Sequence, residues 1–106
     1  MTAATLPSCQ SAADPAACGY VASRGASLVA LVDGRRVCSW CSAWREETAA
    51  RELEARRILR LVDREDRRRA LDYYEASLGA VGPEARARLE AVILNLWELS
   101  RARRNP

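Results

Sequence analysis

The residues with the most definite chemistry are Cys9, Cys18, Cys38 and Cys41, four thiols in a chain that has no histidine. Their order is C-x8-C, a long gap, then C-x2-C. A C-x2-C turn brings two sulfurs to the same side, within reach of one ion at about 2.3 Å. Four thiolates complete a tetrahedral site, so the spacing predicts a structural Zn²⁺ held by Cys9, Cys18, Cys38 and Cys41. Two other readings of the same residues stay open. The thiols can be buried separately as small apolar groups, or can pair as disulfides, which needs an oxidising compartment. A redox enzyme built on the C-x2-C fits less well, because the motif leads out of a short antiparallel hairpin rather than a βαβ unit.

The lack of histidine removes the commonest general base, the usual Ser and Cys triads, and every mixed Cys/His zinc site. All 17 basic residues are arginine, so Ser and Thr have no Lys to activate them either. A catalytic zinc needs an open coordination position, which four thiolates would fill. Glu46, Glu47, Glu52 and Glu54 alternate with arginines and read as a solvated ion-pair face rather than working carboxylates. The expectation is a protein that is not an enzyme.

The elements that carry the cysteines follow from local pattern. Residues up to Gly19 show no helical or strand period and form an arm that needs something to order it. Ser27 to Val32 is apolar and partly β-branched, Asp33-Gly34 follows, and Arg35 to Cys38 returns. Asp-Gly between two such runs predicts a β-hairpin with a type I′ turn. Cys38 and Cys41 then stand at the end of the hairpin and the start of the first helix, where the helix N-terminus favours anionic ligands. Two upstream cysteines, a hairpin and a cysteine pair opening a helix is the order of elements in a treble-clef zinc site. The departure is the eight residues between Cys9 and Cys18, where a zinc knuckle has two to four.

From about Trp40 the period becomes helical, with Trp40, Trp44, Ala55, Ile58, Leu59 and Val62 on one face and a break near Val62. Asp63 is a good N-cap for a second helix that buries Leu71, Tyr74 and Leu78, and Gly79 is a natural stop. Pro83 suits the first turn of a third helix, reaching about Arg103. Leu89, Val92, Ile93, Leu96 and Leu99 share one of its faces, and Leu94 and Trp97 widen the arc, which predicts the central, most buried helix. The fold class is therefore mainly α: a zinc-stapled, treble-clef-like N-terminal arm and β-hairpin followed by three helices. The whole of 1–106 reads as a single domain, with 1–41 the Cys-rich part and 42–104 the helical body.

A formal net charge of +3 with both signs interspersed is a weak nucleic-acid signal. The densest basic cluster is Arg56, Arg57, Arg60, Arg64, Arg67, Arg68 and Arg69, interleaved with Asp63, Glu65 and Asp66. It is the candidate partner-binding face. A second basic cluster, Arg101 to Arg104, closes the third helix, where the dipole favours cations. No apolar run approaches the ~20 residues of a membrane span, and the first residues lack the regions of a signal peptide, so the cytoplasm is expected.

Val37-Cys38-Ser39-Trp40-Cys41, Trp44-Arg45, Glu54-Ala55-Arg56 with Ile58-Leu59, Arg68-Arg69 with Leu71-Asp72, and Leu96-Trp97-Glu98 resemble small uncharacterised phage and prophage proteins of proteobacteria. The resemblance spans roughly residues 32 to 99 and brings no activity with it. It implies a mobile-element accessory protein acting in the host cytoplasm, a class that includes inhibitors of host defence systems and regulators. The expected function is binding to a host protein or protein complex, as an inhibitor of a defence complex or nucleic-acid enzyme. The alternative is a zinc-containing nucleic-acid-binding regulator using Arg64, Arg67, Arg68, Arg69 and the Arg101–Arg104 tail.

Overall fold

A computed structural model describes residues 25–104. Among these residues the chain is mainly helical, a two-stranded hairpin followed by three α-helices. It divides into two compact units between Ala49 and Ala50.

In the first unit, β1 (Leu28–Ala30) and β2 (Arg36–Cys38) pair antiparallel, with Leu28 opposite Cys38, Val29 opposite Val37 and Ala30 opposite Arg36. The hairpin forms where the pattern predicts it, but its turn is not type I′. The Leu31 N–H donates to the Arg35 carbonyl at 2.8 Å and the Gly34 N–H to the Leu31 carbonyl at 2.9 Å, leaving a three-residue loop, Val32-Asp33-Gly34. Gly34 has φ of 93°, while Asp33 keeps a negative φ that a type I′ turn would not allow. The Asp33 carboxylate holds this alternative, accepting from the Arg35 N–H at 3.0 Å and from Arg35 Nε at 2.8 Å. The Arg35 N–H first, and its guanidinium second, hold the Asp33 carboxyl below its usual value of 3.8. The loop is tied to α1 (Ser42–Leu59) by the Val32 N–H, which donates to Glu47 Oε1 at 2.9 Å. Ala26, Leu31, Val37, Cys38 and Cys41 are buried together here, with Val29, Ala43 and Trp44 packed on them.

The second unit contains the last turns of α1, then α2 (Arg64–Ser77) and α3 (Gly82–Arg104). Its core is Ala55, Ile58 and Leu89, packed with Ala70, Leu71, Tyr74, Val92, Ile93 and Leu96. Burying Ile58 and Leu89 contributes about 1.5–3 kcal/mol each. The breaks between helices sit where local chemistry puts them. Asp63 caps α2 by accepting from the Glu65 N–H at 2.8 Å. Gly79, at φ 61°, turns the chain after α2 into a single 3-10 turn, Gly79–Val81.

Gly82 does something its sequence context does not announce. Its φ and ψ are ordinary helical values, −54° and −50°, but a Cβ there would lie 2.1 Å from the Glu75 carbonyl oxygen. The residue is glycine because α2 and α3 approach backbone to backbone at this point. Farther along, the Arg86 guanidinium donates to Asp72 at 2.7 Å, Glu75 at 3.3 Å and Glu90 at 2.8 Å. Asp72 first, then Glu90, raise the pKa of Arg86 above its ordinary range, so it stays charged.

Gly82 beside Glu75 and Arg86 beside Asp72 fix an antiparallel register in which Arg64, the first residue of α2, stands opposite about residue 94. Because α3 has 23 residues and α2 has 14, the last turns of α3 run past the start of α2. The third helix, expected to be the central and most buried one, is buried only in its first half, at Gly82, Ala85 and Leu89. Leu94, Trp97 and Leu99 are 57%, 47% and 51% exposed. Val62, expected on the inner face of the first helix, lies beyond its end and is exposed, as are Trp40 and Leu78.

Candidate metal centre and interaction surface

Cys38 and Cys41 belong to one tight turn. Cys38 ends β2, and the Cys41 N–H donates to the Cys38 carbonyl at 3.0 Å. The Cys41 carbonyl in turn accepts from the Arg45 N–H at 3.0 Å, so Cys41 is the residue from which α1 starts. The turn is pinned from the other strand: the Ser39 N–H donates to the Ser27 carbonyl at 2.7 Å, and the Ser27 N–H donates to Ser39 Oγ at 3.1 Å. Both cysteines are buried, with 0% and 1% exposure. Two thiols on one turn supply at most two of the four ligands that a tetrahedral thiolate site needs. The other two predicted ligands, Cys9 and Cys18, lie outside the described residues. Among the described residues no group of three or more His, Cys, Asp or Glu could hold a metal ion.

The arginine cluster divides by the partners its members have. Arg56 pairs with Glu52 at 2.8 Å, Arg57 with Glu54, Arg68 with Glu65 at 2.9 Å and Arg69 with Asp66 at 3.9 Å, all one helical turn apart. Arg67 points inward to the backbone instead. Its Nη1 donates to the Leu61 carbonyl at 2.9 Å and the Val62 carbonyl at 3.1 Å, satisfying carbonyls in the connection after α1. Arg60 and Arg64 make no ion pair among the described residues and are exposed. Four of the seven are therefore neutralised by a carboxylate one turn away, while Arg60, Arg64 and Arg67 have no carboxylate partner among the described residues.

Two grooves flank the protruding part of α3. One, of about 380 Å³, is lined by Leu59, Arg67, Leu71, Glu90, Ile93, Leu94 and Trp97. The other, of about 340 Å³, is lined by Arg56, Leu59, Arg60, Leu96, Leu99, Ser100 and Arg103. The guanidinium of Arg104 lies 5.6 Å from the centre of the Trp97 ring. Sequence periodicity assigned Leu96, Leu99, Leu94 and Trp97 to a core; Leu96 does pack on it, and Leu94, Trp97 and Leu99 do not. The signal that would have separated them is the unequal length of the second and third helices, so that among the described residues the second helix does not accompany the end of the third.

No helix among the described residues is long and apolar enough to cross a membrane. No family model, curated protein or solved structure matches the chain.

Proposed function

We propose that the chain is a small, non-enzymatic accessory protein of phage or prophage type that acts by binding a host protein, as inhibitors of a host defence complex or nucleic-acid enzyme do. The observation that carries this reading is the set of half-exposed side chains Leu94, Trp97 and Leu99 beside arginines on the protruding end of α3. Small helical units gain nothing from leaving such groups in water, and tryptophan with arginine is the composition of binding hot spots. The site of action in this reading is the host cytoplasm. Capture from host lysate by the immobilised full chain at physiological salt tests it; retention of nothing would sink it.

In the same proposal a structural Zn²⁺, bound by Cys9, Cys18, Cys38 and Cys41, fastens the arm to the hairpin and the start of α1. The support is the pairing of two buried thiols on one turn. Elemental analysis of the purified chain, with melting before and after a chelator, decides it. Less than about half an equivalent of metal, or an unchanged melt, removes the zinc.

A nucleic-acid-binding regulator is the second reading, favoured by the uncompensated charge of Arg60 and Arg64 and by Arg101, Arg103 and Arg104 in the last turn of α3. Micromolar binding that weakens steeply between low and physiological salt supports it; no binding at low salt removes it.

A further inference from the structure

We propose that the groove between the last turns of α1 and the end of α3 receives an acidic amphipathic helix of a partner protein; this rests on the protein-binding reading above. Its floor is Leu59, Leu96 and Leu99, its rim Arg56, Arg60 and Arg103, and no carboxylate lines it. Arg56 is paired with Glu52 at 2.8 Å. Arg60 and Arg103 have no ion pair among the described residues. An apolar floor under uncompensated cations is matched by a helix with aliphatic side chains at i, i+3 or i+4, and carboxylates on the flanks.

The neighbouring groove lacks that selectivity. Its two charged groups are already engaged, Arg67 by the Leu61 and Val62 carbonyls and Glu90 by Arg86. Other occupants fit the first groove less well. A nucleic acid would use the arginines but leave the leucines in water, and no aromatic ring lines this groove to stack a base. A second copy docking symmetrically would set the same basic rim against itself.

The probe is a displayed library of random peptides of about 16 residues, selected on the full chain, with the best peptide then measured by fluorescence anisotropy at physiological salt. The expected winners carry aliphatic residues at helical spacing with flanking Asp or Glu. Leu99→Glu, and separately Arg60→Gln with Arg103→Gln, should each weaken binding at least about tenfold. Tyr73→Ser, on α2 and lining neither groove, should change it less than about twofold. All of these positions are exposed, and unchanged melting confirms that the variants fold.

Winners that are basic or lack the apolar spacing overturn the proposal, as does binding indifferent to the Leu99 and arginine variants. So does oligonucleotide binding that the arginine variant abolishes and Leu99→Ser leaves intact, or a dimer that Leu99→Glu dissociates. Lysate capture that survives both variants removes this groove and leaves the protein-binding reading standing. Failure of capture by the unaltered chain removes that reading itself.

Discussion

Gly82→Ala is the substitution whose effect follows most directly from the geometry. The new Cβ would lie 2.1 Å from the Glu75 carbonyl oxygen, 3.0 Å from its carbon and 3.2 Å from Glu75 Cγ. The side-chain carbon can swing away, but the carbonyl belongs to the last turn of α2 and cannot move without shifting that helix. Ordinary contact begins near 3.4 Å, so α2 and α3 must part by roughly 1 Å where they are closest. Overpacking of this kind costs about 1–3 kcal/mol, and a backbone obstacle puts it at the upper end. Alanine recovers up to about 1 kcal/mol as the better helix former. The net expectation is a loss of about 2 kcal/mol, seen as a melting temperature lower by about 8–16 °C for a chain of this size. Thermal unfolding followed by far-UV circular dichroism reads it. Gly79→Ala is the companion: φ is 61° there but nothing lies within 4 Å of the added carbon, so its cost is backbone strain alone, about 1–2 kcal/mol. A Gly82→Ala protein melting within about 2 °C of the unaltered chain would refute the close approach and the register built on it.

Arg86→Gln leaves Asp72, Glu75 and Glu90 without their shared cation and should destabilise the second unit by about 1–2 kcal/mol at low salt. The difference should shrink in about 1 M salt, as screening dictates; an equal loss at both salts would mean the side chain acts by packing. Arg67→Ala removes the donor to the Leu61 and Val62 carbonyls and should cost about 1 kcal/mol in chemical denaturation. Arg68→Ala, whose partner is exposed Glu65, should cost less than about 0.5 kcal/mol; equal effects at the two positions would contradict the inward role of Arg67. The Asp33 carboxyl should titrate below 3.8 by carbon NMR. Its folded-state pKa is depressed, so its stabilising contribution is present above the unfolded value and is lost as pH falls through the folded one. A midpoint at or above 3.8 would contradict the bonds from Arg35.

How far these sites are legible from residue order depends on the range of the interactions that build them. Asp33-Gly34 marks the hairpin because glycine tolerates positive φ, but the turn type escapes because it depends on whether the Asp33 side chain captures the Arg35 N–H. Asp63 and Gly79 announce the ends of α2 because capping involves atoms two or three residues away. Arg67 and Arg68 are neighbours of identical type, yet one satisfies backbone carbonyls and the other an exposed glutamate. No local pattern separates them. Cys38 and Cys41 are legible as a pair because the turn joining them is four residues long.

The order of residues thus determined the element types, their ends, the cysteine turn and the density of arginine, all of which rest on contacts within one or two turns of chain. Tertiary structure alone decided which glycine is a packing requirement, which arginines are spent within the protein, and which apolar faces remain uncovered. Leu89 and Leu99 sit on the same predicted stripe, but the first is buried and the second 51% exposed. The physical reason is the register of α2 against α3: a hydrophobic face is buried only as far as its neighbour extends, and α2 begins opposite about residue 94 of α3.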